Sequence, residues 1–263
     1  MNKKHSLQLC LIGLGWLAIL WFGLGKMAVH AAAQPTGTTI PTATVMQVVI
    51  TATQDTTLYE EPTGAVSNGA GQYFFVGKTA GGSTRRGLLA FDLSSRLPAT
   101  ATVISVTLAL QMSKSNAGSE GIALHKVSTG WGEGASNAAA NEGSGAPSAQ
   151  NDATWIHTFF NSAQWQKPGG DFVATASASV HVAGVGAYTW GSTPQLVADV
   201  QSWLTASTSN FGWTLIGNET STGSTKRFGT RENTDPASRP QLTIAYTTAP
   251  VILQKSYLPL IQK

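Results

Sequence analysis

The sequence has very little cysteine and little charge. Cys10 is the only cysteine among 263 residues, and it lies in an apolar stretch near the start. The rest of the chain therefore has no disulfide, no thiolate nucleophile and no cysteine metal site. Charged residues make up 11% of the chain. A fold without crosslinks must be held together by burial of apolar surface, which about 200 residues can supply.

The apolar stretch at the start has the order of a secretory signal peptide. Two lysines precede an apolar run at 7–24, and Ala31 and Ala33 supply small residues before a cleavage point after residue 33. We predict a signal peptide at 1–33 and a protein that is secreted, extracellular or held at the cell surface. An uncleaved membrane anchor is the alternative, because the run approaches the ~18–20 residues that span a bilayer.

The basic excess of the sequence belongs to this leader. The full chain has 16 Lys and Arg residues against 13 Asp and Glu residues. The leader carries Lys3, Lys4 and Lys26 and no acid, so the remaining chain has a formal charge of zero. Without a basic patch, nothing indicates nucleic-acid binding. We also expect no membrane span once the leader is removed.

Short apolar or alternating runs, separated by Gly, Ser, Asn and Pro, dominate the remaining sequence. This pattern is typical of an all-β sandwich or barrel. We predict one antiparallel β-sandwich domain at 45–248, with a Pro/Thr-rich spacer at 34–44 and a tail at 249–263 that is an edge strand or a sorting signal. Candidate strands are 45–53, 73–76, 86–92, 103–112, 121–127, 172–182, 211–217, 226–230 and 241–247.

Two elements have clear periodicity. The strand at 103–112 alternates, and its apolar face consists of Ile104, Val106, Leu108, Leu110 and Met112, so we expect a core on one side of it. A short helix follows Thr193 as cap and Pro194 as first residue. Its apolar stripe consists of Leu196, Val200, Trp203 and Leu204.

The segment at 130–152 is rich in Gly, Ala and Ser and poor in large apolar residues. Loops of this length in compact domains are usually functional or disordered.

Catalytic motifs are missing. The chain has no Gly-x-Ser-x-Gly elbow and no His-Glu-x-x-His motif, and its carboxylates are scattered. We predict that the protein is not an enzyme and has no cofactor. A structural calcium ion is kept as an alternative, because loop carboxylates and carbonyls suit a hard cation, although no Asp-x-Asp-x-Asp-Gly loop is present.

Aromatic and cationic residues indicate sugar binding instead. Trp203 and Trp213 are expected in the core. Trp131, Trp155 and Trp165 lie in loop-rich sequence and are the candidates for exposed stacking surfaces. For an acidic ligand, guanidinium pairs with carboxylate in a two-pronged geometry. From a wider set of cations that includes Arg227, we select Arg85, Arg86 and Arg231 as ligand-binding residues.

The chain also resembles the DNRLRE domain, described as well as carbohydrate-binding module family 96 or disaggregatase-related. The resemblance covers roughly residues 50–247. It rests on the order of short motifs: Asp55–Leu58, Gly71, 73–77, 86–93, 104–110, 127–131, Thr154-Trp155, 169–171, 210–213, 231–233 and 239–242. It implies an extracellular jelly-roll-like β-sandwich, and in some members the binding of acidic polysaccharide such as alginate.

The leading functional hypothesis is non-catalytic binding of an extracellular polysaccharide or cell-envelope glycan; the selected arginines are the matching groups if that polymer is acidic. The first alternative is a structural or adhesive surface module without a soluble ligand. The second is a polysaccharide-active enzyme, which would need two carboxylates about 5–9.5 Å apart across a cleft.

Overall fold

The computed structural model describes residues 43–140 and 142–248. The predicted signal peptide, most of the spacer and the tail lie outside the described residues, so those predictions stay predictions. No helix within the described ranges is both long enough and apolar enough to cross a membrane.

The described residues form strands, one α-helix and three short 3-10 turns. The strands are β1 (Val45–Thr51), β2 (Gln54–Tyr59), β3 (Val66–Ser67), β4 (Tyr73–Lys78), β5 (Thr84–Ala90), β6 (Thr102–Ser115), β7 (Glu120–Lys126), β8 (Ala146–Pro147), β9 (His157–Phe159), β10 (Ala163–Gln164), β11 (Ala178–Val182), β12 (Gly186–Trp190), β13 (Trp213–Ile216), β14 (Lys226–Gly229) and β15 (Gln241–Thr247). The helix is α1 (Pro194–Thr205). The 3-10 turns are Glu142–Ser144, Ser207–Ser209 and Pro236–Ser238.

Eleven of these strands form a continuous antiparallel sheet with two halves. The first half runs β1–β15–β6–β14–β4, with β12 also paired to β6. The second half runs β5–β13–β7–β11, with β2 also paired to β5. The halves join where β4 pairs with β5, at Gly77 with Arg85 and Lys78 with Thr84. The short strands form two separate pairs, β3–β8 and β9–β10.

The two halves enclose the main core. Phe74 of β4 stacks on Phe228 of β14 with ring centroids 5.3 Å apart, and Trp190 meets Phe228 edge-on. The ring centroids of Trp213, in the second half, and Trp203, in α1, lie 4.5 Å apart. The prediction of an antiparallel all-β sandwich with one short helix is thus confirmed, and the core placement of Trp203 and Trp213 is correct.

Strand β6 shows how a bulge changes an alternating pattern. Val106, Leu108, Leu110 and Met112 are buried as expected. Ile104 is 47% exposed, whereas Val103 is buried. The register with β15 shifts between Ala245 and Tyr246, which skips Ile104. The extra residue of a bulge reverses the side on which the following residues lie, so the expectation for Ile104 is wrong.

Helix α1 agrees with its sequence signals. The Thr193 hydroxyl accepts a hydrogen bond from the backbone N–H of Leu196 at 3.0 Å, and Pro194 is the first helical residue. The buried side chains are Leu196, Asp199, Val200, Trp203 and Leu204. Asp199 is the unexpected member, and it accepts from the Trp213 indole at 3.0 Å.

Some strand predictions fail for identifiable reasons. Strand β2 was not predicted, because polar residues hold its buried positions, among them Asp55, Thr56 and Thr57. Strand β12 was also missed. In the predicted strand at 172–182, pairing is confined to an isolated bridge at Phe172 and to β11.

The described residues of the segment at 130–165, which leave out position 141, form an additional layer whose Trp131, Ala153 and Trp165 pack on the outer face of the second sheet half. A second apolar cluster lies beneath it, composed of Leu58, Leu88, Ala90, Val127, Trp131, Ala153 and Trp165. Gly134 marks a tight point in this layer. It has φ +73°, and a Cβ there would lie 1.5 Å from Asp152 Oδ1. The part of this layer at 130–152, which was expected to be functional or disordered, is therefore packed on the fold in the residues that the structure describes.

Candidate ligand-binding groove and carboxylate cluster

The predicted stacking residues Trp131 and Trp165 are buried. They are 4% and 5% exposed, respectively. The Trp131 indole donates to the Phe211 carbonyl at 2.9 Å, and the Trp165 indole donates to the Thr154 carbonyl at 2.9 Å. Both rings cover the outer face of the second sheet half, so the expectation that they are exposed is wrong. The sequence could not show that this face is covered.

Trp155 is half-buried and borders a shallow cavity of about 340 Å³. The Arg86 guanidinium lies 5.0 Å from its ring centroid. Arg86 is already paired, since its Nε and Nη2 donate to Glu219 at 2.7 and 2.9 Å and its Nη1 donates to the Gly169 carbonyl at 2.8 Å. The structure thus brings two predicted site residues together, in an arrangement in which Arg86 has little donor capacity left for a ligand.

Arg85 lies in a different part of the molecule and is only 9% exposed. Its guanidinium lies 4.7 Å from the Tyr59 ring centroid and donates to Ser83 Oγ at 2.6 Å and to the Thr84 carbonyl at 2.9 Å. Burial lowers its pKa from the ordinary value, yet an arginine remains a cation at neutral pH. Arg85 borders a cavity of about 620 Å³.

This cavity continues into a neighbouring one of about 270 Å³, because Phe75, Asn116, Gly143 and Thr225 line both. Arg227 of β14 pairs in register with Phe75 of β4 on one side and with Lys114 of β6 on the other. Directly paired residues of antiparallel strands lie on the same face of a sheet. Phe75, Arg227 and Lys114 therefore form a row on the outer face of the first sheet half.

Tyr73 adds an aromatic ring to this row. The Arg227 guanidinium lies 3.8 Å from its ring centroid, and Arg227 Nε donates to Ser113 Oγ at 2.9 Å. We call the surface formed by Tyr73, Phe75, Arg85, Lys114 and Arg227 the cationic groove.

Two carboxylates border the cationic groove, and each has a hydrogen-bond partner. Glu142 is 6% exposed, and its Oε2 accepts from Asn68 Nδ2 at 2.9 Å and from the Tyr73 N–H at 2.7 Å. Glu120 Oε2 accepts from Asn218 Nδ2 at 2.9 Å. Lys114 is exposed and Arg227 is half-exposed, so the charge that faces solvent along the row is positive.

The sequence carried a signal for this groove. Phe74, Val76 and Phe228 are core residues, so strand alternation places Tyr73, Phe75 and Arg227 on the opposite face. Arg227 was considered as a ligand-binding cation but not selected, and Tyr73, Phe75 and Lys114 were not considered. Which strands are neighbours was the missing information, because β4, β14 and β6 are far apart in sequence.

Comparison of the sequence with protein-family models and with curated proteins finds no match. The resemblance to the DNRLRE domain therefore stays a prediction. The function of this chain has to be argued from its own surfaces.

The sixth predicted residue, Arg231, belongs to a cluster with three carboxylates. It pairs with Glu133 through Nη2, and its Nε donates to Glu133 Oε1 at 2.7 Å. Its Nη2 also lies 2.7 Å from Glu232 Oε1. Asp55 completes the group, since its Oδ2 accepts from the Arg231 backbone N–H at 2.7 Å. Arg231 was selected from the sequence as a ligand-binding residue, and nothing in the sequence indicated that Asp55 and Glu133 would join Glu232 around it.

The cluster is electrostatically strained. Burial, together with the charge of Glu232, raises the pKa of Asp55 well above its ordinary value. Burial and the charge of Glu133 raise the pKa of Glu232 to about 7. The hydrogen bonds that its guanidinium donates to Glu133 raise the pKa of Arg231. Carboxylates are thus held close together in a site that penalises their ionisation.

Proposed function

We propose that this protein is an exported, non-catalytic module that binds an acidic polysaccharide in the cationic groove. One observation carries the proposal: a cross-strand row of Phe75, Arg227 and Lys114 lies in an open groove beside the Tyr73 ring and Arg85.

The groove offers the two kinds of contact that a uronate polymer uses. The half-buried Tyr73 ring supplies apolar surface for the face of a pyranose ring, whereas Phe75 is buried and contributes little contact surface. The Arg227 guanidinium and the exposed Lys114 ammonium supply charge-assisted hydrogen bonds to carboxylates, each worth about 1.5–3 kcal/mol. The groove is open on one side, which suits a chain that extends beyond the site.

The carboxylates do not favour the enzymatic alternative. Glycosidic cleavage needs two carboxylates that face each other across a bond, about 5–9.5 Å apart. The cluster of three carboxylates found among the described residues contains Asp55, which is 0% exposed and cannot reach a substrate.

Affinity electrophoresis and calorimetry with polygalacturonate or alginate, and with neutral dextran, test the proposal. We expect binding to the acidic polymers, weakened by salt because exposed charges are screened. Arg227→Ala should weaken it about tenfold or more, since it removes a charge-assisted contact. Arg96→Ala is the matched control, because Arg96 is exposed elsewhere and should leave the affinity unchanged.

The proposal fails if neither acidic polymer binds, or if Arg227→Ala and Arg96→Ala bind equally well. A structural or adhesive module is the second candidate. The burial of Trp131, Trp165, Trp190, Trp203 and Trp213 favours it, because these indoles stabilise the fold and present no stacking surface. That function predicts no retardation by any soluble glycan.

A further inference from the structure

Three carboxylates from distant parts of the sequence meet at one point. Asp55 lies in β2, Glu133 lies in the layer at 130–165, and Glu232 follows β14. One oxygen from each lies within 4.8 Å of the other two. Calcium binds oxygen ligands at about 2.3–2.6 Å, so oxygens up to about 5 Å apart can contact the same ion.

Two oxygens of this cluster have no hydrogen-bond partner. Asp55 is 0% exposed, and its Oδ1 is unpartnered among the described residues, as is Glu232 Oε2. A buried carboxylate oxygen without a partner is costly, and such atoms are rare in folded proteins. Asp55 is therefore a fully buried side chain with one oxygen that lacks a donor. The neighbouring Glu232 carboxyl can serve as its partner only when the two groups share a proton, whereas a bound cation serves both when they are ionised.

Arg231 does not neutralise the cluster. Asp55, Glu133 and Glu232 carry three negative charges when ionised, against the one positive charge of Arg231. The guanidinium is engaged with Glu133 and with Glu232 Oε1, while the two unpartnered oxygens are left without a donor. The net charge of the four ionised side chains is therefore −2, which one divalent cation would balance.

The donor set selects the kind of cation. The cluster consists of carboxylates, without a histidine or cysteine ligand in the described residues that form it. Carboxylate oxygens suit hard cations, and zinc sites usually include nitrogen or sulfur ligands. Calcium accepts irregular oxygen geometries, whereas magnesium demands a near-ideal octahedron and retains several waters.

We propose that Asp55, Glu133 and Glu232 bind one calcium ion, which fastens the layer at 130–165 to β2 and to the turn after β14. The cationic groove shares no residue with this site, so the proposal stands whether or not a glycan binds.

Calcium titration of the purified full chain tests the site. After dialysis against EDTA at about pH 8, which favours ionised carboxylates, CaCl₂ is added and followed by calorimetry and by thermal unfolding. We expect one ion per chain and a rise in Tm, because a ligand that binds the folded state stabilises it.

Variants identify the ligands. Glu232→Gln and Asp55→Asn keep the side-chain shape and remove one negative charge each, and we expect each to weaken calcium binding at least tenfold. Glu219→Gln is the matched control, because Glu219 is also paired to an arginine, Arg86, but lies outside the cluster. It should bind calcium as the unchanged chain does.

The proposal is overturned if the unchanged chain shows neither binding heat nor a Tm shift up to about 10 mM CaCl₂, tenfold above the weak limit of extracellular calcium modules. In that case Asp55 and Glu232 share a proton. An equal response to MgCl₂ contradicts the calcium assignment. If a variant does not fold, the comparison of CaCl₂ with MgCl₂ on the unchanged chain decides alone.

Discussion

Lys226 is a charged residue that lies in the interior and satisfies backbone groups there. It is 0% exposed. Its ammonium group donates to the carbonyls of Ala117, Gly118 and Ala183 at 3.1, 2.5 and 2.9 Å. Burial lowers its pKa from the ordinary value. The side chain thus ties the β6–β7 turn to the turn after β11.

Replacing Lys226 by Met tests this role. The substitution keeps an unbranched side chain but leaves three carbonyls without their donor. We expect the free energy of unfolding to fall by about 2–4 kcal/mol. This is less than three fully buried groups would cost at about 1–3 kcal/mol each, because Gly118 and Ala183 are exposed and water can reach their carbonyls. Urea denaturation measures it. Lys114→Met, on the exposed face of the neighbouring strand β6, should change stability little, and an equal loss in both variants would contradict the interpretation.

At the scale of single residues, the sequence predicted burial well for side chains in periodic elements, but it did not predict which surface a side chain outside such elements faces. Core placement followed for Trp203 and Trp213, because each sits in a periodic element. Trp131 and Trp165 lie in sequence without periodicity, and their burial depends on the sheet that they cover. The adjacent Arg85 and Arg86 point to different surfaces, because successive residues of a strand lie on opposite faces. Such alternation separates residues that the sequence places side by side.

The layer at 130–165 is held by hydrogen bonds as well as by indole rings. The Asn68 side chain donates to Glu142 and accepts from the Ala138 N–H. The Tyr59 hydroxyl donates to the Glu142 carbonyl at 2.6 Å. These bonds replace the periodic apolar pattern that identifies a strand or helix, so the sequence could not distinguish this layer from a mobile loop.

Trp131→Ala measures how much this layer contributes to stability. We expect a loss of about 3–5 kcal/mol in the free energy of unfolding, because the change removes a buried ring and leaves a cavity. Urea denaturation is again the measurement. Trp155→Ala should cost clearly less, since Trp155 is only half-buried. A comparable loss in both variants would show that the layer is not anchored by the Trp131 ring.

The helix and most long strands were predictable as elements, because their apolar periodicity is strong. Strand β15 was predicted with the bounds that the structure shows, and α1 followed from Thr193 and Pro194. Strand β2 was not predicted from the sequence, because a strand that buries Asp55, Thr56 and Thr57 has no apolar alternation. That same unusual strand supplies one ligand of the proposed calcium site.

At the scale of the whole molecule, the antiparallel sandwich was predictable from the spacing of turns and strands, but the pairing of strands was not. The cationic groove depends on β14 lying between β4 and β6. The carboxylate cluster depends on three segments meeting from positions 55, 133 and 232. Both sites arise from long-range topology, and a single sequence carries little information about which distant strands are neighbours.

The antiparallel pairing of β1 with β15 determines how the domain responds to tension. The register runs from Val45 opposite Thr247 to Thr51 opposite Gln241. Residues 45 and 247 thus lie side by side, and a pull that separates them loads the hydrogen bonds between these strands one after another. In single-molecule stretching from these two positions, we expect β1 to peel away first at low force. An abrupt high-force rupture of the intact domain would contradict this expectation. A module tethered to a surface by one end only would never experience that weakness.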